Sequence, residues 1–449
     1  MLFTRRHALR TTTALGTTAA LAGTGLLAPR SLRAEIPTAD VAPPEYAIED
    51  GAELTVLRPS KFVQGDETLF LENTKKFTEA TGVPVKVESE GWTDLRPKTA
   101  VAANVGSGPD IVLAWQEDPH LFEDKLVRLD DLADYLGKKY GGWFPVAETY
   151  GRSVNDGSWI ALPVGGSGST MVYRKSWVNE AGFDDVPKDF PGFLECCKAL
   201  QANGHPAGLA LGNAVGDGGW TDWVLWGYGS AMVDENNKVM IDNEKTIEAL
   251  NYAKELSQTF IDGTLSWLDP SNNKAFLAGE IGLTGNGISI YYAAKNSEDP
   301  AIKEMAADIF HADYPIGPVG KPTQGALVIN SMIFAYSPYP NAAKEYLRFM
   351  MEKEQYAAWQ EASIGYWCHP LAAYDENEIW TVDPKHTPYR DVMRKALPQS
   401  YMGTPSEAAA AVKAEMVVLQ MFSSVCAGQA TPEEAMAEAK RRAERYYRT

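Results

Sequence analysis

Gly106-Ser107-Gly108-Pro109-Asp110-Ile111-Val112-Leu113-Ala114-Trp115-Gln116-Glu117-Asp118 is the stretch that decides the fold. Two glycines and a proline punctuate it. A short apolar run follows and ends at an aromatic ring and two acids. Such a run between turn signals reads as a buried strand. Working backwards, Leu95 to Asn104 reads as a helix, and Val83-Pro84-Val85-Lys86-Val87-Glu88 alternates like a strand. Leu69, Phe70, Phe77 and Ala80 fall on one helical face, with Thr81-Gly82 as the stop. A polar turn is expected over Pro59–Glu67, and Glu53 to Leu57 is strand-like. This β-α-β-α-β rhythm predicts an α/β fold built on a mainly parallel sheet flanked by helices.

Working forwards, Trp159–Pro163 and Ser169–Tyr173 read as strands, separated by the glycine-rich Val164–Gly168. Helices are expected over 189–202, 220–231, 244–261, 271–279, 288–296 and 341–351, with strand-like runs at 281–284 and 326–329. Thr431 reads as the N-cap of a last helix, with Glu433 and Glu434 in its first turn and arginines at 441, 442, 445 and 448 beyond. Acids early and bases late suit the helix dipole.

The 449 residues carry a net charge of −18. Five of the 41 basic residues lie in residues 1–34, which hold no acid, so the rest sets 36 bases against 59 acids. A body this acidic repels phosphate backbones, and nucleic acid is not an expected partner. No apolar run beyond the first thirty residues reaches the length of about 18 needed to span a membrane. The N-terminus places Arg5-Arg6 before a weakly apolar stretch from Ala14 to Ala28, then Arg30 to Ala34. This is the order of a secretory signal, and the arginine pair resembles a twin-arginine export signal. Residues 1–34 are therefore expected to be an address, cut after Ala34, which places the protein in the periplasm. Cys196, Cys197, Cys368 and Cys426 have no metal-ligand spacing and read as mostly buried thiols.

No Walker loop, His-x-x-x-His, Cys-x-x-Cys or Gly-x-Ser-x-Gly pattern appears. No cofactor, metal or catalytic residue is expected. Instead, aromatic residues sit in small polar loops: Trp92 after Glu90-Gly91, Trp115 before Gln116, Trp220 after Asp217-Gly218-Gly219, and Tyr366-Trp367 after Gly365. Sugars present an apolar C–H face and a rim of hydroxyls. Aromatic rings cover the first, while Asp, Asn and Gln bond the second.

The ordered motifs resemble a known family. Ser107–Val112, Leu126–Leu132, Asp156–Pro163 with Met171–Lys175, Phe276–Leu283 and Ala342–Phe349 are similar, in the family's order, to the extracellular solute-binding proteins of ATP-binding-cassette importers. The maltose-binding-protein-like, carbohydrate-binding branch is the nearest in pattern. The resemblance implies a two-lobed periplasmic-binding-protein fold with a ligand cleft between the lobes. It implies one lobe of 35–162 plus 314–365 and another of 163–313 plus 366–449. Carried over position by position, it implies a cleft lined by Ser60, Lys61 and Gln64 after the first strand, to which the aromatic reading adds Trp92. Trp115, Gln116 and Asp118 follow the third strand, and Gly166 and Ser167 lie at the lobe crossing. Asp217 and Trp220, Asn286 and Gly287, Gln324 and Gly325, and Tyr366 and Trp367 complete the set.

Two departures from the family shorten the expected ligand. Trp115 stands one position later than the family's aromatic, and Ile288-Ser289 replaces the stacking Trp that maltose-binding proteins carry after Asn-Gly. The resemblance therefore implies a monomeric, non-enzymatic protein that captures a mono- or disaccharide, or a derivative, for membrane permease subunits. A second reading keeps the fold but binds a polyamine or an anionic solute. A third is a secreted carbohydrate-active enzyme.

Overall fold

The computed structural model describes residues 35–168 and 170–448. The expected signal peptide lies outside the described residues. Among the described residues, eight strands form two sheets: β1 (Leu54–Pro59), β2 (Val85–Glu90), β3 (Ile111–Ala114), β4 (Leu162–Ser167), β5 (Thr170–Arg174), β6 (Leu283–Asn286), β7 (Ile309–Asp313) and β8 (Leu327–Ile333). The first sheet has the order β2-β1-β3-β8-β4, the second β6-β5-β7. The Gly106–Asp118 stretch behaves as read: β3 is buried throughout and ends at Ala114.

The expectation of mainly parallel sheets needs correction. β1 runs parallel to β2 and β3, but β8 pairs antiparallel with both β3 and β4. The second sheet is antiparallel throughout. The reason is topological. β8 enters the first sheet from a distant part of the chain, so no adjacent crossover helix forces it parallel.

Local signals explain most helix boundaries. The helix Gln64–Thr81 starts earlier than the predicted turn over 59–67 allowed, with Asp66 and Glu67 in its first turn. It stops at Gly82, whose φ of 78° lets its N–H bond back to the Thr78 carbonyl at 2.8 Å. Phe70 and Phe77 are buried on one face, and Phe77 meets Tyr346 edge-on at 5.1 Å. Thr431 caps the helix Pro432–Ala443 with Glu434 in a reciprocal capping box. That helix ends before Arg445 and Arg448, which lie outside it.

The glycine-rich 164–168 segment is not a loop between strands. Val164 to Ser167 lie within β4, which pairs with β8 through an irregularity at Pro163/Gly165. A Cβ on Gly166 would stand 2.2 Å from the Met393 sulfur, and one on Gly165 would stand 2.9 Å from the Trp367 Cβ. These glycines let other chain segments approach the strand closely. β7 and the helices Pro300–Asp308 and Lys353–Ala362 carried no expectation from sequence.

One apolar core surrounds the first sheet, with Val56, Phe77, Ile111, Leu136, Trp159 and Ile333 among its fully or nearly fully buried members, and reaches Phe276 and Ile290. A second core holds Met171, Phe193, Trp223, Leu250 and Phe422. The most membrane-like stretch by length and composition, Glu407–Cys426, is two helices broken at Met416, which has φ 53°. It buries Val412, Val417 and Phe422 in the second core. All four cysteines are free, and burial pushes the Cys196 thiol up to about 12 and the Cys426 thiol up to about 11. Thiolate is the reactive form. An aromatic disulfide reagent at pH 8 is therefore expected to find almost no fast thiol in the native protein and four after denaturation. A reading of two after denaturation would reveal a disulfide instead.

Candidate functional site

The cavity is assembled at strand ends. β1 gives way to Ser60–Val63, which carries Phe62, and β3 gives way to Trp115 and Gln116. β4 ends at Ser167. β6 ends at Asn286-Gly287, ahead of the helix Ser289–Lys295. Ligands in open α/β folds favour such strand ends. The cavity holds about 870 Å³ free of protein atoms, open mouth included.

Four rings from the first sheet's side line it: Phe62, Trp92, Trp115 and Tyr366. Trp92 is 5.7 Å from Phe62 and 5.0 Å from Trp115, the latter at 65°. Phe62 and Tyr366 are 6.4 Å apart. The half-buried Trp92 is fixed by its indole N–H, which donates to the Ser60 carbonyl at 2.8 Å. Gln116 is fixed in turn. Its backbone carbonyl accepts from the Asn330 amide at 2.9 Å, and its side-chain oxygen accepts from the Val328 N–H at 3.3 Å.

Polar groups from the second sheet's loops share the cavity. The Asn286 amide donates to Asn273 at 2.6 Å, and Asn273 donates to Ser289 at 3.0 Å. This chain of bonds orients the amides before any ligand arrives. A Cβ on Gly287 would stand 2.8 Å from the Ser167 hydroxyl, so only glycine permits this approach. Asp217 and Asp269 also line the wall. Asp269 accepts the backbone N–H groups of Gly216 and Asp217 at 2.9 and 3.0 Å. Burial, with the neighbouring Asp269 charge, pushes the Asp217 carboxyl well above the usual carboxylate range. Trp220 shows only an edge to the cavity. It is 1% exposed, its N–H donates to the Ala210 carbonyl at 2.7 Å, and Phe260 packs on it edge-on.

Of the residues expected from sequence, the fold brings Trp92, Trp115, Gln116, Ser167, Asp217, Trp220, Asn286, Gly287, Gly325 and Tyr366 to one cavity. Ser60, Lys61, Gln64, Asp118, Gly166, Gln324 and Trp367 do not line it. Lys61 is exposed and pairs with Glu67, and Gln64 is exposed and bonds Thr68 at 3.1 Å. Ser60 contributes a carbonyl that holds Trp92. Asp118 is fully buried against Arg96 at 2.6 Å, and burial keeps its carboxyl raised despite that partner. Beside it, burial pushes Glu117 up to about 7. Gly166 bonds Cys368 through both backbone groups, at 2.8 and 2.6 Å. Gln324 is 2% exposed. Trp367 is pinned in the core, its N–H donating to Asp66 at 3.2 Å.

The sequence reading missed Phe62, Asp269, Asn273, Tyr314, Gln399 and Lys413. Asp269 and Asn273 had a local signal, the polar turn Asp269–Asn273 that opens a helix. Lys413 had none, because it arrives from the C-terminal helices.

Residues 72–388 match the family model described as bacterial extracellular solute-binding protein. A curated relative described as a probable ABC transporter-binding protein of Deinococcus radiodurans is 23% identical over 203 residues, 43% of this chain. The chain spans about half, 47%, of that relative's length. Among solved structures, maltose-bound T. maritima MalE3 superposes with a TM-score of 0.76 at 19% identity, covering 88% of this chain and 99% of that one. The GacH receptor of Streptomyces glaucescens, solved unliganded and with acarbose, superposes at 0.73 and 20% identity, covering 88% and 98%.

Proposed function

This chain belongs to the bacterial extracellular solute-binding proteins, non-catalytic components of ATP-binding-cassette importers, and from that premise we propose that it captures a mono- or disaccharide, or a derivative, for delivery to membrane permease subunits. The observation that carries this is the mixed lining of one cavity, with four aromatic rings from one side and a tethered amide and carboxylate set from the other. The rings suit the C–H face of a sugar and the polar set suits its hydroxyls. The acarbose- and maltose-bound relatives lend support to a carbohydrate.

In this reading the protein has two lobes, close to 35–162 plus 314–365 and 163–313 plus 366–449, with Val164–Ser167 of β4 and Tyr366 staying on the first sheet's side, and acts as a monomer. The β7–β8 and Tyr366–Cys368 passages act as the hinge. Ligand favours the closed form, because only there do both sets of groups reach it. Residues 1–34 direct export to the periplasm, by the twin-arginine route.

A thermal-shift panel of sugars, polyols, sugar acids and polyamines tests this. A ligand at about 100-fold its dissociation constant adds about 2.7 kcal/mol and raises the midpoint by a few degrees. A carbohydrate is expected to give that shift and to be recovered unchanged after long incubation. Trp92→Ala is expected to weaken that carbohydrate by about tenfold, the scale of one aromatic contact. A shift confined to polyamines, or a hydrolysed sugar, would overturn the reading.

A further inference from the structure

We infer that the cargo is an amino sugar, whose protonated amine seats against Asp217 and Asp269; the inference rests on the carbohydrate reading above and narrows it. One oxygen of Asp217, Oδ2, is buried and has no hydrogen-bond partner, and its residue lines the cavity. A buried acceptor without a donor is unfavourable, and more so when it carries charge. Asp269 is already turned toward the backbone N–H groups of Gly216 and Asp217. The two carboxylates are close enough that the Asp269 charge works against ionisation of Asp217.

Among the described residues, the Lys413 charge acts on Asp269, and no cation acts on Asp217. Lys413 is the cation in the lining, and its ammonium sits 3.0 Å from Asp222. Burial raises the hydroxyls of Tyr314 and Tyr366, and the Asp217 charge adds to both. A neutral sugar hydroxyl offers Asp217 one donor and no charge. An ammonium offers three donors and a full charge. The half-buried ring of Trp92, in the same lining, favours the same cation. The cavity thus carries an acceptor, a second acid and a π-face, which is the complement of a basic sugar.

The test is calorimetric titration at pH 7.5 with matched probes. These are D-glucosamine, N-acetyl-D-glucosamine and D-glucose; the corresponding galactose set; chitosan disaccharide, its diacetyl form and cellobiose; D-glucuronate; and putrescine. In at least one set the amine is expected to bind at least tenfold tighter than both neutral partners. Asp217→Asn is expected to cut that amine-to-neutral ratio by tenfold or more. Asp269→Asn gives the same ratio test if the first variant fails to fold. A neutral sugar or glucuronate binding as tightly as the matched amine, or no amine binding at all, overturns the inference. Neutral-sugar binding would leave the carbohydrate reading intact. Putrescine binding with no sugar bound would overturn both.

Discussion

Asp217→Asn is expected to raise the thermal midpoint of the sugar-free protein at pH 7.5 while lowering its preference for an amine-bearing ligand. The carboxyl is buried, one of its oxygens has no partner, and its neighbour Asp269 is also an acid. Asn leaves a polar group in place but carries no charge, so it avoids the cost of a buried carboxylate and should stabilise by about 1–3 kcal/mol, a few degrees in a chain of this size. The pH dependence follows from the raised native value. Between the unfolded carboxyl, near about 3.9, and the native one, the native state holds a proton that the unfolded state has lost. Wild-type stability therefore gains as pH falls through that window. The advantage of Asn is largest at high pH, shrinks on acidification and is gone near pH 4. Differential scanning calorimetry of both proteins from pH 4 to 8.5 reads this directly. A constant or negative difference would mean that Asp217 is solvated or paired in solution.

Asp66→Ala is expected to have the opposite and larger effect, a loss of about 3–5 kcal/mol. Arg58 and Asp66 form an ion pair with side chains 2% and 1% exposed. Asp66 also accepts the indole N–H groups of Trp359 at 2.9 Å and Trp367 at 3.2 Å. Trp359 keeps the Asp66 carbonyl at 3.1 Å, but Trp367 loses its acceptor. The Arg58 guanidinium, which already has one nitrogen without a partner, would be left buried and unpaired. Trp367 packs edge-on to Tyr366 at 4.8 Å and lies 6.4 Å from Trp92, so the aromatic wall should loosen as well. Urea unfolding should show a lower midpoint, and sugar affinity should fall with it. Lys61→Ala, at the exposed pair with Glu67, is the control and should move stability by no more than about 0.5 kcal/mol. If both variants behaved alike, the buried pair would not be holding this corner of the fold.

Much of the site was legible because its residues follow strand ends. Trp115 and Gln116 directly follow β3, and Asn286-Gly287 closes β6. The distinction between cavity and core was not legible. Trp92 follows Glu90-Gly91 and Trp367 follows Gly365-Tyr366, similar contexts in sequence, yet one opens the helix Trp92–Val105 half-buried at the cavity and the other is bonded to Asp66 in the core. The same holds for Gly166 and Gly287, two glycines with close neighbours. The neighbour is Met393 in one case and Ser167 in the other. Lys413 and Asp269 join the cavity from segments far apart in the chain, and no local pattern announces such a meeting.

The sequence by itself determined the alternation of strands and helices, their caps, and the loops that carry rings beside amides and acids. Those features are written in local periodicity, turn chemistry and capping, which act over a few residues. Only the tertiary structure decided the antiparallel entry of β8, the burial of Asp118 and Trp367, and the unpartnered oxygen of Asp217. Each depends on which distant segment arrives opposite. An acid beside a tryptophan reads the same along the chain whether an arginine, an indole or another carboxylate folds against it.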